Sequence, residues 1–217
     1  MIPKTIHQIY GIFDDGIAIS DIPVFKHNTE LTKAFCKGHN IEYKMWSLKD
    51  CEELLCEYYP EYIELWTEFR FPIQRADFIR YLILHRYGGI YIDCDIYPVK
   101  PLDKLLNDDL LFVCWNNDNK KLPYNAIMGA KPNHKIFITI CQDIIKRVEE
   151  KQSKKIYDTW KGRLVFQTTG HQMLKNHIDK SYIHNVLHIK NDNKKINITG
   201  EEVYFYDNNI SSWFKKQ

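Results

Sequence analysis

The chain has 217 residues, 44% of them hydrophobic and 27% charged, with a formal net charge of +2. That length and balance fit one soluble globular domain spanning 1–217, with a substantial core. They give no electrostatic case for nucleic acid binding, which needs a strong basic excess on one face. The basic clusters KQSKK (151–155) and the terminal FKKQ are short and far apart. They read as solvated surface, with contact with an anionic membrane face as the minority alternative. The six cysteines, Cys36, Cys51, Cys56, Cys94, Cys114 and Cys141, contain no CxxC pair, which argues against a zinc ribbon. The opening MIPKTIHQIYG lacks a basic-then-apolar signal segment. No stretch approaches the run of about 18 apolar residues that a membrane span needs. A reducing, cytoplasmic setting with free thiols is the expectation.

In chain order, IPKTIHQIYG reads as a strand over 5–10 followed by a glycine turn. A helix is expected over 28–37 and an alternating strand over 41–46. SLKDCEELLCEYYP reads as a capped helix, with Ser47 as N-cap, Asp50 three residues on and Pro60 closing it. PIQRADFIRYLILHRYGG (72–89) opens with a proline, has no breaker and ends at a double glycine. Its apolar residues leave little polar face, so the helix is expected to be buried on most sides. GIYID then forms a short buried strand, with LLFVCW (110–115) and NAIMGA (125–130) as further strands. KIFITICQDIIKRVEE and GHQMLKNHI read as helices, and the tail after Val186 as short strands and loops. Alternating strands and helices predict an α/β fold with a mainly parallel central sheet flanked by helices.

GGIYIDCDIYP (88–98) puts Asp93 and Asp95 one residue apart at the exit of an apolar strand. Ends of α/β strands form ligand crevices. Period-two geometry would set Tyr91, Asp93 and Asp95 on one face and Ile92 and Cys94 on the other. Two carboxylates so placed repel unless a cation or a shared proton relieves them. Oxygen-only ligands suit Mg²⁺ or Mn²⁺, completed by diphosphate oxygens and water. On the preceding helix Asp77 and Arg80 share a face. They form either a structural ion pair or part of the same crevice, with Arg80 on an anionic leaving group or hydroxyl and Asp77 on a sugar hydroxyl.

The block RADFIRYLILHRYGGIYIDCDIYPVKPL resembles the central region of the DxD sugar-binding glycosyltransferases, glycosyltransferase family 32. Around it, IPKTIHQIY resembles the family's opening strand, with Tyr10 in place of the usual tryptophan. YNAIMGAKPNH carries the matching Asn125, and TTGHQML matches a Thr-Gly-Pro stretch through Gly170, with His171 in the proline's position. FYDNNISSWF resembles the closing Ser-Trp element through Ser212 and Trp213, with Asp207 where relatives often carry histidine.

The resemblance implies a GT-A type fold and a metal-dependent, retaining transfer of a hexose from a nucleotide-diphosphate sugar to a glycan, lipid or protein acceptor. Uridine and guanosine donors both occur among relatives, and a UDP-sugar is favoured. In that frame Asp95 is the direct ligand of Mn²⁺ (or Mg²⁺), Asp93 acts through water and on ribose or sugar, and Asp207 is a further metal candidate. Asp77 and Arg80 grip the sugar, Tyr91 frames the site and Tyr10 stacks on the base. Asn125, Gly170, Ser212 and Trp213 complete the donor site.

Three rival readings compete with this one. A DxD phosphatase needs a small or hydroxyl residue two positions past the second Asp, where this chain has Tyr97 and then Pro98. A zinc hydrolase would use His184 and His188 of HNVLH, but the glutamate expected beside the first is Asn185. A catalytically weak or inactive nucleotide-sugar-binding module draws on the departures at Tyr10, His171 and Asp207.

Overall fold

The computed structural model describes residues 1–117, 120–153, 161–178, 183–184, 187–189, 203–208 and 210. In chain order the strands are β1 (Thr5–Ile9), β2 (Glu42–Trp46), β3 (Gly89–Ile92), β4 (Ile96–Pro98), β5 (Leu110–Asn117), β6 (Lys120–Ala130), β7 (Ile183–His184), β8 (Leu187–Ile189) and β9 (Phe205–Asp207). The helices are α1 (Pro23–Gly38), α2 (Leu48–Tyr58), α3 (Ile63–Glu68), α4 (Pro72–Tyr87), α5 (Asp103–Leu106), α6 (Ile136–Ser153), α7 (Lys161–Thr168) and α8 (His171–Leu174). A six-stranded sheet has the order β2-β1-β3-β6-β5-β7, and a three-stranded sheet the order β4-β9-β8.

Three of the five pairings in the large sheet are parallel, as expected: β1 with β2, β1 with β3, and β5 with β7. The other two come from β6, antiparallel to both β3 and β5. Only two residues separate β5 from β6, and so short a connection permits only an antiparallel hairpin. The pairing of β5 with β6 jumps from Phe112↔Met128 to Val113↔Tyr124, so residues 125–127 bulge away from β5. That irregularity brings Asn125 and Ala126 alongside the end of β3, where the Asp93 N–H donates to the Ala126 carbonyl at 3.0 Å.

The sheet is covered on both faces. Ile90 and Ile92 join a core with Ile6, Leu111, Ala126 and Phe205, while Tyr91 faces a larger core with Phe78, Tyr81, Phe112 and Phe137. Helix α4 lies in the larger core, its residues 78, 79 and 81–84 fully buried. Proline at its first position and the Gln74 side chain, which accepts from the Phe71 N–H at 3.1 Å, set its start. Ser47 caps α2 as expected, its Oγ accepting from the Asp50 N–H while Asp50 accepts from the Ser47 N–H.

The boundaries differ from expectation in informative places. Helix α1 begins at Pro23, five residues before its expected start, because proline occupies the first helical position. Helices α3 and α7 and the small sheet were not anticipated, and GHQMLKNHI supplies only the four-residue α8. His184 and His188 lie on strands of different sheets, which removes the helical spacing a zinc site would use.

Candidate active site

Parallel strands β1 and β3 end side by side, and a pocket of about 250 Å³ opens at their carboxyl ends. The segment after β1 forms its outer end; the N-terminal half of α4, the bulge of β6 and the α7–α8 junction form its inner end. On α4 the lining residues are Ile73, Ala76, Asp77 and Arg80, the i, i+3, i+4, i+7 stripe of one helical face.

The acidic pair is not on the strand. Strand β3 stops at Ile92, and residues 93–96 form a turn closed by the Ile96 N–H donating to the Asp93 carbonyl at 3.0 Å. Period-two alternation therefore ends before Asp93, and Asp93, Cys94 and Asp95 all line the pocket. The turn is held from β1, where Gln8 Nε2 donates to the Asp93 carbonyl at 3.2 Å and Cys94 Sγ donates to the Ile9 carbonyl at 3.4 Å. Gln8 is itself fixed by the Tyr43 hydroxyl of β2 at 2.9 Å. On the other side β9 pairs with β4, the Asn208 N–H donates to the Asp95 carbonyl, and the Ile210 N–H donates to Asp95 Oδ2 at 2.9 Å.

Arg80 is the buried hub, 3% exposed. Its Nη2 lies 3.1 Å from Asp77 Oδ1 and its Nη1 3.2 Å from Asp93 Oδ1. The same Nη1 donates to the Asn125 carbonyl at 2.8 Å, Nε donates to the Ala76 carbonyl, and the guanidinium stacks 4.7 Å from the Tyr91 ring centroid. The structural and site alternatives for the Asp77–Arg80 pair thus coincide: the pair is buried, and it lines the pocket. Asp77 also accepts from Asn125 Nδ2 and Thr169 Oγ1, each at 2.9 Å. Burial pushes the Asp77 carboxyl up to about 6, against the opposing pull of Arg80 and Thr169.

The two members of the acidic pair differ in their partners. Asp93 has the Arg80 charge and the Tyr91 hydroxyl, which donates to its Oδ1 at 2.5 Å. Among the described residues Asp95 has no cationic partner within salt-bridge distance; its carboxylate accepts from the Ile210 N–H and from its own backbone N–H. Burial, and then the Asp93 charge, raise the Asp95 carboxyl above its ordinary range. Tyr124 completes the surround, its hydroxyl donating to Asp207 Oδ2 at 3.0 Å. Burial first, and then the charges of Asp207, Asp95 and Asp93, hold that phenol well above its usual value, so it stays a proton donor.

Asp207 is fully buried on β9 opposite Ile96 and reaches the pocket's edge through Tyr124, without lining the pocket itself. Tyr10, Gly170 and His171 are in the lining. Ser212 and Trp213 lie outside the described residues. Gln8, Tyr124 and Thr169 stand inside the quoted stretches IPKTIHQIY, YNAIMGAKPNH and TTGHQML without being singled out there, and the apolar wall of Ile73, Val165 and Phe166 carries no signal beyond hydrophobicity.

The donor set fits a hard divalent ion: oxygen only, with one carboxylate lacking a counter-charge. Among the described residues there is no cluster of three or more side chains of the types that hold a metal ion.

Residues 8–112 match the glycosyltransferase sugar-binding region containing the DXD motif, and residues 61–193 match the capsular polysaccharide synthesis protein family. The chain carries the DXD sugar-binding region of glycosyltransferases. An uncharacterized glycosyltransferase of Acanthamoeba polyphaga mimivirus is 29% identical over 224 residues, covering 98% of this chain and 84% of that one. A mannosyl phosphorylinositol ceramide synthase of Saccharomyces cerevisiae is 34% identical over 140 residues, 64% of this chain and 33% of the yeast protein. An inositol phosphoceramide mannosyltransferase of Schizosaccharomyces pombe is 32% identical over 109 residues, covering 50% and 30%. The transferase chain therefore spans about a third of the length of these yeast relatives. Among solved structures, a glycosyltransferase involved in the glycosylation of the major capsid of PBCV-1 aligns with a TM-score of 0.48 at 13% identity, covering 94% of this chain and 92% of that one. No helix among the described residues of the transferase is long and apolar enough to cross a membrane.

Proposed function

We propose that the transferase moves a hexosyl group from a nucleoside-diphosphate sugar to a hydroxyl of a glycan, lipid or protein acceptor, with retention at the anomeric carbon. The observation that carries this reading is the asymmetry of the acidic pair. Asp93 is neutralised by Arg80, while Asp95 lines the pocket with no cationic partner among the described residues. Asp95 and Asp93 would hold Mn²⁺ or Mg²⁺, which when bound supplies electrophilic stabilisation of the charge developing on the departing diphosphate.

The chain's own residues then divide the work. Arg80 fixes Asp93 and Asp77 in the lining, so its role is to position the carboxylates. Tyr91 orients Asp93 from below. Asp77 and Asn125 face the sugar hydroxyls, and the apolar wall of Ile73, Val165 and Phe166 excludes water from the sugar end. Gly170 lines the donor site, where a Cβ would crowd Phe166 Cα at 3.1 Å, and Tyr10 stacks on the base. Asp207 acts through the Tyr124 hydroxyl, and Ser212 and Trp213 close over the donor. Asp77, the carboxylate on the sugar side, is engaged by Arg80, Asn125 and Thr169, which leaves it poorly placed as a nucleophile and favours front-face displacement.

The names of the yeast relatives make mannose the first hexose to try and an inositol phosphoceramide the first acceptor. The free thiols of Cys36, Cys51, Cys56, Cys94 and Cys141 suit a reducing compartment. Release of nucleoside diphosphate from a panel of nucleotide sugars with Mn²⁺ tests the whole reading. Asp95→Asn should lower release by about a hundredfold or more while the fold melts normally. Full activity in that variant would sink the assignment. Tight donor binding with no release by the native protein would instead favour the non-catalytic module.

A further inference from the structure

Strands β1 and β3 pair at Ile6↔Ile90 and His7↔Tyr91, and the pocket opens beyond them. Past those positions two side chains join the segments. Gln8 Nε2 donates to the Asp93 carbonyl at 3.2 Å, and Cys94 Sγ donates to the Ile9 carbonyl at 3.4 Å. On β2 the Tyr43 hydroxyl donates to Gln8 Oε1 at 2.9 Å. A chain of hydrogen bonds therefore runs from β2 through β1 into the acidic turn.

An amide is an unexpected group at position 8. Two residues earlier on the same strand face, Ile6 lies in a core with Ile90 and Ile92, and Tyr43 packs against that core too. Gln8 is itself fully buried. An apolar side chain would suit the place, because a buried amide costs free energy unless its polar atoms are matched. Both ends of Gln8 are matched, and the match has a direction. The Asp93 carbonyl can only accept, so it takes the amide nitrogen, and the amide oxygen then needs a donor from β2. Burial raises the Tyr43 phenol above its ordinary value and so keeps that donor protonated.

The backbone of Asp93 is thereby clamped on both sides. Its N–H donates to the Ala126 carbonyl of β6, while its carbonyl accepts from Gln8 and from the Ile96 N–H. Its carboxylate is fixed separately, by Arg80 and Tyr91. Neither Gln8 nor Tyr43 lines the pocket, so neither touches what the pocket binds.

Resting on the metal-dependent reading above, we infer that Gln8 is a positioning residue for the metal-binding turn, and that Tyr43 acts on the turn through Gln8. The relay sets the peptide plane between Asp93 and Cys94, and with it the angle at which the Asp93 and Asp95 carboxylates converge. A small divalent ion tolerates little departure from its preferred geometry. A slightly rotated turn therefore loses metal affinity before it loses the fold.

The test is Mn²⁺ uptake by the whole chain, read from the EPR signal of the free ion, without nucleotide and again with GDP or UDP. Native protein is compared with Gln8→Met, Tyr43→Phe and the double variant, each below its own melting transition. Gln8→Met keeps the length of the side chain and removes both hydrogen bonds, so it should weaken Mn²⁺ binding about tenfold. Tyr43→Phe removes one hydroxyl from a half-buried ring and should cause a smaller loss. The double variant should match Gln8→Met, because Tyr43 has no route to the turn once the amide is gone.

Native Mn²⁺ affinity in folded Gln8→Met, whatever its melting temperature, would show that the amide serves the fold alone and would overturn the inference. Losses that multiply in the double variant would overturn the part played by Tyr43. If Gln8→Met does not fold, Tyr43→Phe decides by itself: weakened Mn²⁺ binding supports the relay and unchanged binding overturns it. All of these outcomes leave the transferase reading standing. A native chain that takes up no Mn²⁺ under either condition removes the metal-dependent reading and this inference together.

Discussion

His7 is a buried side chain whose chemistry is settled by its two neighbours. The Trp46 indole N–H donates to its Nδ1 at 3.2 Å, so Nε2 carries the proton and donates to the Gly88 carbonyl at 3.0 Å. A second proton would have no acceptor. Burial pushes the ring down to about 4, with the Gly88 carbonyl opposing and the Lys44 charge assisting. The sign follows from linkage: the folded state disfavours the extra proton, so the contribution is complete above about 6.5 and lost as the pH falls towards 4. Stability should fall by up to about 1.4 kcal/mol per pH unit through that window from this ring alone. Urea unfolding at pH 7, 6 and 5 should therefore give a shallower pH slope for His7→Gln than for the native chain, whatever the variant's absolute stability. Identical slopes would show that His7 is not the titrating group. At this scale a sequence reveals residue types and little about partners. Asp93, Asp95 and the Asp77–Arg80 spacing could be picked out by chemistry. That Arg80 reaches Asp93 as well as Asp77 depends on how α4 lies over the end of β3, which no local spacing encodes.

The join between α4 and β3 shows why two consecutive glycines stand before the acidic turn. Gly88 and Gly89 have φ of +66° and +87°, where side chains other than glycine's are strained. There is no space either. A Cβ on Gly89 would lie 2.7 Å from the Thr5 carbonyl and 2.9 Å from His7 Nε2, and one on Gly88 would lie 2.7 Å from the Ala130 carbonyl. Strand β3 can pair with β1 and β6 and still begin one residue after the helix because nothing protrudes there. Gly89→Ala should destabilise by at least about 2 kcal/mol, a melting-temperature drop of about 5 °C or more. Because Gly89 sets the start of the strand that ends at Asp93, activity below the melting transition should fall as well. A variant as stable and active as the native chain would mean that the backbone relaxes at little cost. The helix–glycine–strand unit was legible because its signals are local: proline, an unbroken apolar run, then double glycine. The bulge of β6 was not legible. NAIMGA reads as a plain strand, and only the competing demands of β3 on one side and β5 on the other loop out 125–127.

For the molecule as a whole, the parallel half of the sheet could be read because β1, β2 and β3 alternate with helices. The small sheet could not be, since β4 and β9 are three residues each and over a hundred positions apart. Yet that sheet decides the state of the site. It brings the last described part of the chain against the DXD turn, through Asn208 and Ile210 on Asp95. The turn is thus gripped by β1, α4 and β9 at once, while Asp95 keeps a carboxylate that burial and Asp93 both disfavour. A fold holding such a group ionised at neutral pH is less stable for it, and relief comes with whatever cation and substrate the site binds. The amide of Asp95→Asn keeps an oxygen for the Ile210 N–H and removes the repulsion. That variant, without ligands, should melt at the native temperature or a few degrees above it. Native protein given Mn²⁺ and nucleoside diphosphate at about a hundred times its dissociation constant should gain about 2.7 kcal/mol. For a chain of this size that corresponds to a rise of about 5–10 °C in melting temperature. Asp95→Asn should gain only a small part of it. Differential scanning fluorimetry on both proteins, with and without ligands, separates the two effects. An unliganded variant several degrees less stable than native, with an undiminished ligand response, would show that Asp95 serves the fold and not the ion.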